Sequence, residues 1–168
     1  MPTPEILVVD DETNLAEAML FVLESEGYRA RHVLNGHLAL QELLEKPAPL
    51  VISDYMMPVM DGAQLLQAIR SREELERTPV LVVSSLPEEV VRAHCATAQG
   101  FIRKPFPIRE LLERVREVLG PPGTLLESAP LPEWPGGALV AKSKAVPNRK
   151  PVKRGQSEEW PTPRESAG

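Results

Sequence analysis

The 168-residue sequence contains a single cysteine, Cys95, and so it has no means of forming an internal disulfide bridge. It also lacks a long hydrophobic run: the longest, residues 18–23, is far shorter than the ~20 residues of a membrane-spanning helix. The first residues include neither a basic segment nor the long apolar segment of a secretory signal. These absences argue against a disulfide-stabilised secreted scaffold and against a membrane protein, and we expect a cytoplasmic protein.

The amino-acid composition changes near Gly120 and divides the chain into two parts. Residues 1–120 contain 12 Lys or Arg against 19 Asp or Glu, whereas residues 121–168 contain 7 against 5. The second part also has nine prolines and five glycines, but only seven Leu, Ile, Val or Phe residues, too few for a hydrophobic core. We therefore expect one folded domain over residues 1–120 and a disordered or partner-ordered tail over residues 121–168.

Within residues 1–120 the hydrophobic pattern alternates five times between short buried strands and amphipathic helices. This alternation predicts an α/β domain with an open parallel sheet, right-handed crossovers and helices on both faces. The strands are predicted at residues 6–9, 28–33, 50–53, 80–83 and 101–102.

Three polar residues predict where helices begin. Asn14, followed by Glu17, resembles a capping pair for the first helix, and the third helix is predicted to begin at about Asp61. Ser85, followed three residues later by Glu88, fits a capping box for the fourth helix.

Chemically active side chains follow four of the five predicted strands: Asp10 and Asp11, Asp54, Ser84, and Lys104. Because the carboxyl ends of parallel strands meet at one edge of the sheet, we expect these groups to converge. Each has an ordinary structural interpretation, such as preparing a helix start or ending a strand in solvent. Separate structural causes do not require convergence, however, so the set as a whole favours a functional site.

Three carboxylates at one edge repel one another, which raises at least one pKa unless a divalent cation is bound. Mg²⁺ prefers oxygen ligands, and Asp11 and Asp54 are the expected direct ligands, with Asp10 acting through water. The Ser84 hydroxyl and the Lys104 ammonium suit the oxygens of a phosphoryl group. The set therefore indicates phosphoryl transfer to an aspartate.

Three segments resemble the receiver domain of bacterial two-component response regulators. They are ILVVDDE at residues 6–12, the D-x-x-M-P-x-M-D-G spacing at residues 54–62, and RKPF at residues 103–106. The resemblance covers essentially all of residues 1–120. It implies a flavodoxin-like (βα)5 doubly wound fold with strand order 2-1-3-4-5.

The resemblance implies that Asp54 accepts a phosphoryl group, with Mg²⁺ as cofactor, from a sensor histidine kinase or a histidine phosphotransfer protein. The implied metal site consists of Asp10, Asp11, Asp54 and the main-chain carbonyl of Met56. Ser84 matches the family's switch hydroxyl, Phe101 its aromatic switch position, and Lys104 its phosphate-binding lysine. Phosphorylation is then expected to switch contacts with a downstream protein. The peptide bond between Lys104 and Pro105 is typically cis in the family.

Two departures from the family pattern carry predictions. Lys104 follows Ser84 by 20 residues, about two fewer than the family spacing, which predicts a shortened fourth helix or following loop. Met56 and Leu86, each two residues beyond a site residue, are apolar and cannot orient an attacking water, which predicts slow self-dephosphorylation.

Three functional classes compete at this stage. The first is a phosphoacceptor signalling protein that is not an enzyme beyond its own phosphorylation and dephosphorylation. The second is a Mg²⁺-dependent aspartyl-phosphate phosphatase of the haloacid dehalogenase type, which is expected to carry a D-x-D motif where this chain has the adjacent Asp10 and Asp11. The third is a non-phosphorylated interaction or adaptor module.

The sequence of the tail indicates its function less specifically than that of the folded domain. It is too short and proline-rich for a helix-turn-helix unit, so we expect no specific DNA binding. Residues 142–154 contain six basic residues and no acidic one, which suits non-specific contact with nucleic acid or an acidic partner. Trp134 and Trp160, each in a Glu-Trp-Pro setting, are candidate docking motifs.

Overall fold

The structure is a computed structural model that describes residues 4–122. Five parallel strands form one sheet in the order β2-β1-β3-β4-β5, which confirms the expected flavodoxin-like (βα)5 topology. The elements alternate strictly along the chain: β1 Ile6–Val9, α1 Thr13–Ser25, β2 Ala30–Val33, α2 Gly36–Glu45, β3 Val51–Asp54, α3 Gly62–Arg70, β4 Val80–Ser84, α4 Glu88–His94, β5 Gly100–Arg103 and α5 Ile108–Leu119. The predicted tail lies outside the described residues except for its first two.

The three central strands, β1, β3 and β4, consist entirely of buried residues, as expected for parallel strands covered on both faces. One hydrophobic core lies between the sheet and helices α2, α3 and α4, and includes Leu43, Leu65 and Val91. The other lies between the sheet and helices α1 and α5, and includes Leu23 and Leu111. Both faces of the sheet are therefore shielded, and the polar strand ends are left at one edge.

The predicted start of the third helix is confirmed, but the cap predicted for the first helix is wrong. Asp61 is the N-cap of α3 and forms a capping box with Gln64. In α1, by contrast, the N-cap is Glu12, and Asn14 lies inside the helix. The Glu12 N–H is bonded to Asp10 Oδ1 at 2.8 Å, so the strand end fixes the turn before Asn14 is reached.

The cap predicted for the fourth helix is also wrong. The N-cap of α4 is Pro87, and no side chain caps it. Ser84, rather than Ser85, makes the local side-chain bond, because its hydroxyl accepts the Leu86 N–H at 3.1 Å. The helix has seven residues and is the shortest of the five in the described part of the chain, in agreement with the short spacing between Ser84 and Lys104.

The end of the described region is joined by side-chain contacts to the loop between α1 and β2. The Tyr28 hydroxyl donates a 2.7 Å hydrogen bond to the Gly120 carbonyl, and Arg116 forms an ion pair with Glu26. Gly120, with φ at 73°, closes α5 in a conformation that favours glycine. Within residues 4–122, no helix combines the length and the hydrophobicity that crossing a membrane requires.

Candidate functional site

The predicted site residues meet at the carboxyl edge of the sheet. Asp10 follows β1, Asp54 ends β3, Ser84 ends β4, and Lys104 follows β5. The strand register sets their relative heights: Asp54 pairs with Val83, and Ser84 is the partner of the residue before Lys104. This edge is where ligands bind in open α/β sheets.

Three carboxylates form a cluster at this edge. One oxygen from each of Asp10, Asp11 and Asp54 lies within 4.8 Å of the others, and no second group of this kind occurs in residues 4–122. Asp10 and Asp54 are buried, with 1% and 9% of their surfaces exposed, whereas Asp11 is exposed. A set of hard oxygen donors with one side open to solvent fits a magnesium ion, which keeps several waters when bound to proteins.

The Lys104 ammonium is the positive charge closest to this cluster among the ion pairs of the described residues. Its Nζ lies 3.4 Å from Asp10 Oδ2 and 3.5 Å from Asp54 Oδ1. The Lys104 N–H also donates to the Ser84 carbonyl at 2.8 Å, and the peptide bond to Pro105 is cis, as the family resemblance implied. Main-chain and side-chain contacts of Lys104 thus join three strand ends.

The pKa of Asp54 is raised above its ordinary value. Burial is the largest cause, the charge of Lys104 acts in the opposite direction, and the charge of Asp10 raises the pKa further. The Tyr55 N–H donates to Asp54 Oδ1 at 2.8 Å and favours the ionised form. This agrees with the expectation that at least one clustered carboxylate has a raised pKa.

Asp10 is held by contacts that the sequence analysis only partly anticipated. Its Oδ1 accepts the Glu12 N–H, and its main-chain oxygen lies 2.8 Å from His32 Nε2. His32 was missed because it comes from β2, where it is the register partner of Val8, and no local motif links it to Asp10. Only the order of the strands would have indicated this neighbour.

Ser84 and Phe101 both line a small cavity. The cavity has a volume of about 100 Å³, and its lining includes Ser84, Leu86, Val91 and Phe101. Phe101 is partly buried against the core, and the Arg92 guanidinium carbon is 4.9 Å from the centroid of its ring. Arg92 was also missed, because this contact depends on how α4 packs beside β5.

The loop from β3 to α3 brings main chain close to Asp54. Gly62 N–H donates to the Tyr55 carbonyl at 2.9 Å, and a Cβ atom on Gly62 would lie 2.4 Å from the Asp54 carbonyl oxygen. Only glycine fits this approach. Earlier in the loop, the Met60 N–H donates to the Pro58 carbonyl at 2.8 Å and closes a γ-turn around Val59, whose φ is 71°.

The structure thus brings together Asp10, Asp54 and Lys104, places Asp11 at the exposed side of the same cluster, and sets Ser84 at the neighbouring strand end. The Met56 side chain is 65% exposed in the adjoining loop. The roles of these residues as metal ligands, phosphate contacts and switch residues stay predictions.

Comparison with known proteins identifies relatives of the chain. A family model described as the response regulator receiver domain matches residues 6–116. The phosphate regulon transcriptional regulatory protein PhoB of Rhizobium meliloti is 36% identical over 118 residues, which cover 69% of this chain and 52% of PhoB. The uncharacterized transcriptional regulatory protein YkoG of Bacillus subtilis is 32% identical over 170 residues, which cover 98% of this chain and 70% of YkoG.

Among solved structures, the receiver domain of sensor histidine kinase PA1611 from Pseudomonas aeruginosa is similar with a TM-score of 0.63 and 26% identity. The match covers 68% of this chain and 95% of that domain, which holds a magnesium ion in its active-site cleft. The chain spans about half the length of PhoB. Because both relatives are named transcriptional regulatory proteins, the comparisons lend no support to the expectation that specific DNA binding is absent.

Proposed function

The chain belongs to the response regulator receiver family of two-component signalling proteins, and from this we propose that Asp54 accepts a phosphoryl group from a phosphohistidine. The donor is a sensor histidine kinase or a histidine phosphotransfer protein. The observation that carries the proposal is the buried Asp54 carboxylate at the end of β3, with Lys104 Nζ 3.5 Å away and two further carboxylates beside it.

In the proposed reaction, an Asp54 carboxylate oxygen attacks the phosphorus atom of the donor. A phosphorus–oxygen bond forms, the phosphorus–nitrogen bond breaks, and its electron pair stays on the donor imidazole. The Lys104 ammonium, already within 3.5 Å of both Asp10 and Asp54, pairs with the oxygens of the transferred group. Asp54 must be ionised to attack, so its raised pKa makes charge compensation at this site a requirement.

The donor set of the site fits Mg²⁺, and we assign its binding to Asp11, Asp54 and the Met56 carbonyl, with Asp10 acting through water. When bound, the ion would supply positive charge to the clustered carboxylates and to the phosphoryl oxygens. The related receiver domain of PA1611, which holds magnesium in its cleft, supports this assignment.

We further assign the switch to Ser84 and Phe101. The Ser84 hydroxyl accepts the Leu86 N–H and keeps its own O–H proton, which it would donate to a phosphoryl oxygen on Asp54. The cavity between Ser84 and Phe101 gives the aromatic ring a place to move as the hydroxyl leaves. The contacts of α4, β5 and α5 with a downstream protein would then change.

An apolar groove beside the site supports a protein as donor. It has a volume of about 490 Å³, lies between α1 and α5, and is lined by residues that include Leu15, Met19, Phe106 and Ile108. Lys104 lines the same groove, so a donor protein bound there reaches the phosphoacceptor edge.

We also propose that the response regulator itself acts in the cytoplasm. Its residues 1–120 form the receiver, and residues 121–168 form a separate tail.

The test is the intact mass of the protein after incubation with acetyl phosphate, with and without Mg²⁺. We expect one added phosphoryl group in the wild-type protein and in Asp61→Asn, and none in Asp54→Asn or without the metal. Asp61→Asn is the matched control because Asp61 lies in the same loop and asparagine also caps helices.

The competing functions give different results. Turnover of a generic phosphomonoester would favour the phosphatase. If neither acetyl phosphate nor a purified phosphohistidine donor modifies the folded protein, the proposal is wrong and the adaptor function replaces it.

A further inference from the structure

A cation–π contact joins α4 to the aromatic side chain of β5. The Arg92 guanidinium carbon is 4.9 Å from the centroid of the Phe101 ring, within the range of an attractive interaction. The same guanidinium forms an ion pair with Glu88, one turn earlier in α4. Two contacts therefore fix the Arg92 side chain, although half of its surface is exposed.

The Phe101 side chain also borders a cavity. The cavity of about 100 Å³ that reaches Ser84 is lined by Phe101 itself, together with Leu86 and Val91. Phe101 is partly buried against the core formed with α2, α3 and α4. The ring thus contacts a guanidinium at the surface and borders a cavity that Ser84 also lines.

We propose that Arg92 is a positioning residue that holds the Phe101 ring where it lies in the unphosphorylated protein. The inference rests on the proposed function, in which Phe101 moves toward Ser84 after Asp54 is phosphorylated. Movement of the ring into the cavity breaks its contact with the guanidinium, so Arg92 stabilises one of the two states only.

The size of the effect follows from the exposure of the contact. A half-exposed cation–π pair shifts an equilibrium by about two- to fivefold. A residue that stabilises only the resting ring position lowers the fraction of protein that is competent to bind a phosphoryl mimic, and so weakens that binding by up to the same factor. Loss of Arg92 therefore favours the activated state even though Arg92 does not touch Asp54.

Fluorine NMR of fluorophenylalanine-labelled protein can measure the ring directly. The 168-residue chain has three phenylalanines, Phe21, Phe101 and Phe106, and Phe101→Leu identifies the Phe101 resonance. Beryllofluoride with Mg²⁺ serves as the phosphoryl mimic. In Arg92→Gln we expect the Phe101 resonance of the free protein to move toward its beryllofluoride-bound position. The beryllofluoride concentration for half-conversion should fall about two- to fivefold.

Two further variants separate positioning from general structure. Arg92→Lys keeps a cation near the ring, so its resonance should lie between those of the wild-type protein and Arg92→Gln. Arg109→Gln is the matched control, because Arg109 is another exposed arginine paired with a glutamate four residues away, on α5. It should leave both the resonance and the half-conversion unchanged.

The outcomes distinguish this inference from the proposed function. If the wild-type protein responds to beryllofluoride and Arg92→Gln behaves identically, the role of Arg92 is wrong and the phosphoacceptor function stands. If the folded wild-type protein neither responds to beryllofluoride nor accepts a phosphoryl group, both proposals are overturned together.

Discussion

At the scale of single residues, two features of its surroundings disfavour the ionised form of Asp54, and a third favours it. Burial and the neighbouring charge of Asp10 raise its pKa, and Lys104 acts against both. The proposed chemistry needs the ionised carboxylate, so the arrangement that suits phosphorylation is unfavourable for the resting fold. The cost of this arrangement to the stability of the fold can be measured.

We predict that Asp54→Asn stabilises the protein at pH 7 in the absence of divalent cations. The expected gain is roughly 0.5–3 kcal/mol, the range of interaction energies between residues in direct contact. A raised pKa means that the folded state binds the proton more tightly than the unfolded state does. The contribution of Asp54 to stability therefore falls as the pH rises from the ordinary aspartate pKa of 3.8 through the raised pKa. Urea unfolding in a chelator measures the gain.

The gain should shrink as the pH is lowered toward 3.8, because Asp54 then becomes neutral in the wild-type protein as well. An equal gain for Asp54→Asn at acidic and neutral pH would show that its charge is not the cause.

Under the proposed function, the lifetime of the phosphoryl group on Asp54 is expected to depend on Met56. Met56 is 65% exposed near Asp54 and cannot hold a water by hydrogen bonding. We predict that Met56→Gln shortens the lifetime severalfold, because an amide can orient the attacking water, whereas Met56→Leu preserves it. Intact mass followed over time after removal of acetyl phosphate gives both lifetimes, and equal lifetimes in the two variants would refute the prediction.

The sequence was sufficient to identify Asp10, Asp54, Ser84 and Lys104 as neighbours, because each comes at the end of a parallel strand. It was not sufficient to identify Arg92, whose partner Phe101 belongs to another element. Strand ends converge by topology alone, whereas contacts of a helix face depend on how the helix is rotated and packed.

At the scale of elements, the connection from β3 to α3 positions Asp54. The capping box of Asp61 and Gln64 fixes the start of α3, and Gly62 packs against the Asp54 carbonyl. The loop and the helix start therefore act as one unit with the end of the strand.

We predict that Gly62→Ala destabilises the protein by roughly 1–3 kcal/mol, the cost typical of overpacking. The added Cβ would approach the Asp54 carbonyl oxygen to 2.4 Å, so the loop or the strand end must shift. The shift should also slow the phosphorylation of Asp54 by acetyl phosphate. Gln67→Ala, at an exposed position of the same helix, is the control. Urea unfolding should show a loss of stability in Gly62→Ala and none in Gln67→Ala.

The two helix starts that were predicted wrongly have a common reason. In both, a residue at a strand end makes the local bond: Asp10 accepts from Glu12, and Ser84 accepts from Leu86. A capping motif read along the sequence assumes that nearby polar side chains are unengaged. At the carboxyl edge of this sheet, the side chains of Asp10 and Ser84 already accept main-chain hydrogen bonds.

At the scale of the whole molecule, strand order was the step that required family knowledge. The alternation of strands and helices predicted the parallel sheet, and the resemblance supplied the order 2-1-3-4-5, which the structure confirms. Hydrophobic periodicity records which residues are buried, but it does not record which strand lies beside which.

We predict that a fragment of residues 1–122 folds on its own with the thermal midpoint of the full chain. The described contacts that close the domain end at Gly120, whose carbonyl accepts the Tyr28 hydroxyl, and include the pair of Arg116 and Glu26. Circular dichroism with temperature gives the comparison. A fragment that is unfolded, or that melts well below the full chain, would place part of the tail within the folded domain.

The γ-turn at Val59 has a consequence for how this domain can change. Its left-handed backbone is strained for a β-branched residue, yet the side chain is 80% exposed and adds little packing. Glycine at residue 59 would relieve the strain but would enlarge the conformational entropy of the unfolded chain, and these two effects oppose each other. The strain costs about 1–3 kcal/mol and the entropy effect about 0.4–1 kcal/mol, so glycine at residue 59 should stabilise the fold. Val59 therefore keeps the loop beside Asp54 stiffer than glycine would, at a net cost in stability.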